Sequence, residues 1–225
     1  MCGRYTLFAE YAELVERFQI GAAAIEEDEY AISYNIAPSQ HVAAVINDGK
    51  QNRMGYLRWG LIPPWAKDEK IGYKTINARA ETLSEKPSFR NAFMKKRCLI
   101  PADSFYEWKR EEGTKTPMRI KLKSGAPFAM AGLWESWKSK EGKVVHSCSV
   151  ITTEPNRLMS TIHDRMPVIL KEVDESSWLN PKHTDPDYLR QFLKPFDEAQ
   201  MEAFEVSSEV NSVKNNGPHL IKEIC

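Results

Sequence analysis

The spacing of apolar and polar residues divides this chain into helical ends and a strand-rich middle. Tyr11, Leu14, Val15 and Phe18 recur at helical spacing, which predicts a helix within Leu7–Phe18. The acidic run Glu26–Glu29 that follows reads as a loop. Val42–Ile46 and Met54–Trp59 read as two strands joined by a turn around Asp48-Gly49. Two prolines and a glycine forbid regular structure in Trp59–Trp65. Ser88 is placed to cap a short helix that runs to about Lys96.

Beyond that helix the apolar runs are short and of β type. Strands are predicted over Arg97–Ile100, Ser104–Trp108, Met118–Leu122, Phe128–Trp134, Ser147–Thr152 and Met166–Leu170. Pro155–Ile162 reads as a helix with proline in its first turn. Trp178, Leu179, Tyr188, Leu189, Phe192 and Leu193 belong to an acidic, helical C-terminal region. No repeat, low-complexity tract or linker divides the chain, so residues 1–225 are expected to form one domain. The expected class is α+β: a mostly antiparallel, barrel-like sheet core flanked by helices.

Composition narrows the setting. With 42% hydrophobic and 28% charged residues in 225, the chain reads as an ordinary globular protein. It has no apolar run long enough to span a membrane and no signal-peptide pattern, which points to a cytoplasmic location and no membrane partner. Cys2, Cys98, Cys148 and Cys225 lack CxxC spacing, so neither a metal site nor a disulfide framework is expected. There is no glycine-rich phosphate loop, and no cofactor is expected. The net charge is zero, yet residues 51–123 hold 17 Lys and Arg against 8 Asp and Glu. Residues 1–50 hold 3 against 8 and residues 171–205 hold 4 against 9. A basic middle between acidic flanks fits either a phosphate-binding face or an unevenly charged solvated surface.

Four segments carry more chemistry than packing requires. Cys2 follows an initiator methionine of the kind that is normally trimmed before a small residue. Trimming would leave an α-amine of pKa about 7.7–8.0 beside a thiol of about 8.5. That pair can capture an aldehyde as an imine and close it to a thiazolidine, although a cysteine at this position is also compatible with chance. In an extended start Arg4 points the same way as Cys2 and is placed to hold a phosphate. Asn77 and Arg79 offer an amide and a bidentate anion clamp, or else an ordinary surface turn. Glu107 shares a strand face with Phe105, while Tyr106 and Trp108 share the other; the carboxylate is either the exposed member of that strand or a desolvated acid. His163 lies between a helix and a strand, with Asp164 and Arg165 beside it, as a proton shuttle or a structural histidine.

Together these segments resemble the SOS response-associated peptidase (SRAP) domain family, whose members shield abasic sites in single-stranded DNA. The matching pieces are Met1–Tyr5, Tyr34–Pro38, Trp59–Trp65, Asn77–Thr82, Phe105–Trp108 and His163–Pro167, followed by Val206-Ser207, Val210-Asn211 and Pro218–Ile221. They run in order along nearly the whole chain. The resemblance implies a covalent thiazolidine between processed Cys2 and the ring-opened abasic deoxyribose. It implies that Asn77 orients the sugar and nucleophile, that Glu107 is the acid/base, and that His163 handles protons at the opened sugar. It further implies phosphate contacts from Arg4, Arg79 and Arg165, base stacking by Trp65, a backbone contact at Thr152, weak lyase behaviour, and a monomer. Two alternatives stay open at this level: a thiol (auto)peptidase that uses Cys2 with His163 and Glu107, and a non-catalytic module for single-stranded DNA.

Overall fold

The computed structural model describes residues 2–224; the expected removal of Met1, like the fourth cysteine, Cys225, lies outside the described residues. Strands dominate, as the apolar alternation requires: β1 Tyr5–Leu7, β2 Ile20–Ala23, β3 Ser33–Ile36, β4 His41–Asn47, β5 Asn52–Trp59, β6 Asn77–Arg79, β7 Arg97–Ala102 and β8 Ser104–Glu111. They continue with β9 Thr114–Leu122, β10 Phe128–Lys138, β11 Val144–Thr153, β12 Met166–Pro167 and β13 Met201–Glu205. The helices are short: α1 Tyr11–Arg17, α2 Arg90–Lys95, α3 Arg157–Ser160, α4 Glu172–Leu179 and α5 Pro186–Arg190.

Five strands close on themselves. The order β5-β4-β7-β10-β11 is antiparallel throughout, and the parallel pairing of Ser147 and Cys148 with Arg58 and Trp59 seals β11 back to β5. Closure removes the sheet edges that would otherwise stay unpaired. A second sheet, β13-β9-β8-β1-β3, lies beside this barrel. One continuous apolar cluster, from Cys2 and Tyr5 to Met130, Val150 and Trp178, fills the space within and between them. The architecture is the expected α+β barrel.

Local departures have local causes. Leu7 belongs to β1 and not to the first helix, which begins at Tyr11; Asp103 accepts the backbone N–H of Ala9 and turns the chain between them. The acidic run forms a 3-10 turn, Glu27–Glu29, closed by a capping box from Glu26. Phe89, not Ser88, stands at the N-terminus of α2, with no side-chain cap. The α3 helix begins at Arg157 because Asn156 caps it, accepting from Met159 N–H at 2.8 Å, which leaves Pro155 outside. Regular strand ends at Pro167 rather than Leu170, and Phe192 and Leu193 fall beyond α5. The strands predicted over 104–108 and 118–122 extend into one long hairpin, β8–β9. It turns at Glu112-Gly113, both at positive φ (47° and 84°), the geometry of a type I′ turn that matches strand twist.

Candidate active site

The parallel pairing of β6 with β11 builds the site. Val150 pairs with Asn77, Ile151 with Ala78 and Thr152 with Arg79, so the segment 77–79 is strand rather than turn. Ile76 O anchors its start, accepting from Val150 N–H at 3.0 Å and from the Trp59 indole at 2.9 Å. Asn77 Nδ2 then donates to Cys2 O at 2.8 Å, which ties the chain start to the barrel. Asn77 Oδ1 is buried and accepts no hydrogen bond among the described residues. An amide with one end fixed on Cys2 and the other end free is placed to accept from a bound hydroxyl or amine.

Cys2 itself is fully buried. Burial pushes its thiol well above the ordinary value, and the nearby Glu107 charge adds to that. Glu107 enters from β8. Its strand is buried on both faces: Phe105 joins the main core, while Tyr106 packs with Val206, Val210 and Leu220 in a second cluster. This settles the choice left by the sequence, because Glu107 is only 2% exposed and is the desolvated acid. Burial raises its pKa, and the His163 ring is among the groups that pull it back down.

His163 Nε2 lies 3.9 Å from Glu107 Oε2. Arg165 N–H donates to His163 Nδ1 at 3.0 Å, an arrangement that sets the neutral ring as the Nε2–H tautomer, donor toward Glu107. Asp164 Oδ1 lies 2.9 Å from His163 Nδ1. Cys2, Asn77, Glu107 and His163 come from four separate parts of the chain and meet here.

The expected DNA-binding residues are placed less uniformly. Arg79 is exposed and lines a cleft of about 970 Å³ together with Trp108, Arg110 and His163. Arg165 also lines it, but its guanidinium is engaged: it binds Glu81 through two bonds of 2.8 and 3.0 Å and Thr152 O at 2.6 Å. Thr152 is fully buried, and it meets the cleft only through Arg165, whose guanidinium donates to its carbonyl. Arg4 does not follow Cys2. Residues 2–4 precede the first strand, and while Cys2 joins the main core, Arg4 turns to the second cluster. There Arg4 Nη1 donates to Asn35 Oδ1 at 2.8 Å and Val210 O at 2.6 Å, with the guanidinium 5.8 Å from the centre of the Trp108 ring. Trp65 is 59% exposed in a loop held by the Trp137 indole, which donates to Ala66 O at 2.8 Å, and it lines neither cleft near Glu107.

Residue-type reasoning passed over Trp108 and Asn35. The Trp108 indole donates to Asn211 Oδ1 at 2.7 Å, and Trp108 lines both clefts beside His163. Buried Asn35 gathers the carbonyls of Val210, Ser212 and Asn215 and so folds the C-terminal segment over Arg4. Their only trace in the sequence is the pair of segments Phe105–Trp108 and Tyr34–Pro38, which gave no hint of these partners. Among the described residues no cluster of His, Cys, Asp and Glu could hold a metal ion, and no helix is long and apolar enough to cross a membrane.

The family described as SOS response associated peptidase (SRAP) matches residues 1–213. The chain belongs to this family. It is 63% identical over 223 residues to the abasic site processing protein YoqW of Bacillus subtilis, covering 99% of each chain. It is 31% identical over 231 residues to the abasic site processing protein HMCES of Xenopus tropicalis, covering 88% of this chain and 68% of that one. A crystal structure of a Bacteroides thetaiotaomicron protein superposes with a TM-score of 0.91 at 29% identity over the whole of both chains.

Proposed function

We propose that this SRAP protein processes abasic sites in single-stranded DNA by forming a covalent thiazolidine at Cys2. The observation that carries the reading is the meeting of Cys2, held through its carbonyl by Asn77, with the buried Glu107 and the adjacent His163. The relatives' names, abasic site processing protein, support an abasic site as the lesion. After loss of Met1, the Cys2 amine adds to the C1′ aldehyde of the opened sugar. The carbinolamine oxygen takes a proton from Glu107 and leaves as water, giving an imine. The thiol then adds to the imine carbon and its proton passes to nitrogen, so that aldehyde and aminothiol yield thiazolidine and water.

The electrostatics favour this sequence. A buried carboxyl with a raised pKa is a better proton donor near neutrality than an ordinary one. A buried thiol with a raised pKa is a poor thiolate, which argues against peptidase action on outside substrates. Intramolecular attack on an imine already joined to the same residue needs no free thiolate, because proximity replaces it. His163 serves the departing ring oxygen of the sugar. Removal of the C2′ proton from the imine would instead nick the strand, the weak lyase branch.

The test is a denaturing gel. Protein is incubated with single-stranded DNA that carries one abasic site, beside Cys2→Ala and an intact-DNA control. A heat-stable shifted band that requires both Cys2 and the lesion is expected, with Met1 absent from its mass. No such band would refute the covalent chemistry and leave plain DNA binding.

A further inference from the structure

The β8–β9 hairpin holds a like-charge pair that packing does not explain. Arg110 and Lys115 are directly opposed across the two strands, and both are exposed. Directly opposed like charges on a sheet repel and destabilise it. Neighbouring Lys109 is neutralised by Glu111 at 2.7 Å, but neither Arg110 nor Lys115 has an ion-pair partner among the described residues. Alternation along β8 places Trp108 and Arg110 on one face, and Lys115 shares it as the cross-strand neighbour. Both cations line a cleft of about 420 Å³ whose other walls are Glu107, Trp108, His163 and Asn211. Arg110 also lines the larger cleft that contains Arg79, so it stands where the two clefts join.

We infer that Arg110 and Lys115 form a phosphate-binding subsite on the hairpin, one that holds the DNA backbone flanking the reacting sugar on the side away from Arg79. The inference rests on the DNA reading above and deepens it by giving the strand a second anchor. Three residues along β8 separate Arg110 from Glu107, a span of about 10 Å. That distance places the subsite beyond the reacting sugar itself, on a neighbouring backbone phosphate. An anion between the two cations relieves their repulsion, so the pair is costly only while the cleft is empty of DNA. The positive φ values at Glu112 and Gly113 fix the tight turn that keeps the pair in register.

The experiment uses single-stranded DNA with a tetrahydrofuran abasic analogue, which has no aldehyde and so reports non-covalent binding alone. Affinity is measured against salt for wild type, Arg110→Gln, Lys115→Gln and the double variant. On a single strand, each phosphate that the protein ceases to neutralise lowers the slope of log affinity against log salt by about 0.7. The pair neutralises one phosphate, so the expected reduction is about 0.7 for the double variant and a part of that for each single variant. The charge-matched control Lys50→Gln/Lys182→Gln removes two lysines that share a surface at the far end of β5 from Trp59. It should leave the slope unchanged. A single methylphosphonate, walked along the flanking positions, should weaken wild type at one flank and leave the double variant insensitive there.

A wild-type slope in the double variant, or an equal fall in the control, would overturn the subsite. Adduct formation with aldehyde DNA is scored in parallel. If wild type forms no adduct while the slopes change as expected, the subsite stands and the covalent reading falls. If adduct forms and the slopes do not change, the reverse holds.

Discussion

At the scale of single residues, Glu107 sets the terms of the chemistry. Its carboxyl binds a proton more tightly in the folded chain than in the unfolded one, because burial penalises the anion. The stability it contributes is therefore complete below the unfolded carboxylate value of about 4.3 and is lost as pH rises through the higher folded value. Glu107→Gln is expected to raise the melting temperature near neutral pH, with the gain shrinking to nothing as pH falls toward about 4. Melting curves at the two pH values check the sign. The same variant should slow adduct formation by about 10²- to 10⁴-fold, the usual worth of a positioned acid/base group. The wild-type rate should rise with pH as the Cys2 amine deprotonates and fall as Glu107 ionises. In the glutamine variant the falling limb should be absent. A more stable, slower protein is the signature of a residue kept for function against stability.

At the scale of elements, two junctions hold the scaffold on which the site rests. Arg97 is buried with no carboxylate partner among the described residues, and burial lowers its pKa to about 10. Its guanidinium instead donates to the carbonyls of Phe93 and Met94 at the end of α2 and of Trp178 and Asn180 at the end of α4. A cation at two helix C-termini satisfies carbonyls that would otherwise be orphaned and interacts well with both dipoles. Arg97→Met keeps the stem but strands those carbonyls, and should cost about 3 kcal/mol in urea unfolding. Arg97→Lys, which can reach fewer of them, should recover only part.

The second junction is the close pass of Gly60 against Gly72. Gly60 has φ 128°, and a side chain there would meet Gly72 O at 2.5 Å. This close approach, together with the Leu61 N–H donating to Thr75 O at 3.3 Å and the Thr75 hydroxyl donating to Leu61 O, closes the stem of the loop that carries Trp65. Gly60→Ala should cost about 1–3 kcal/mol in backbone strain and displace that loop. Unfolding curves measure the cost, and a shift in tryptophan emission, with Trp65 the exposed indole of the loop, reports the displacement.

At the scale of the whole molecule, the two ends of the chain depend on each other. The first strand lies between β8 and β3, and the segment after β13 folds across it: Val210 O and Asn35 hold Arg4, Asn211 holds Trp108, and Ile221 O accepts from Arg119 at 3.0 Å. Deleting residues from 206 onward uncovers Tyr106 and removes Val206, Val210 and Leu220 from the second cluster. Three buried aliphatic side chains are worth about 5 kcal/mol or more, a large part of a typical domain's stability. The truncated chain should bind a hydrophobic dye and lose adduct formation, although every residue expected to act on the sugar is still present.

Period-two apolar runs and short connections were legible in the sequence, since a residue's face on a strand is set by local alternation. They gave the α+β class, the central strands and the order of the chemical motifs. Local rules failed where a distant partner decides. Asn77–Arg79 has the composition of a turn and becomes strand only because β11 offers its edge. Leu7 leaves the helical pattern because β1 is paired on both sides. The burial of Glu107, the turning of Arg4 away from Cys2 and the engagement of Arg165 by Glu81 depend on residues 31 to more than 200 positions away or on a second sheet. The sequence by itself determined which groups are present and which strands they ride on. Only the tertiary structure decided which of them meet and which are desolvated, because hydrogen bonding and burial are properties of neighbours in space, and closure of the barrel chooses those neighbours.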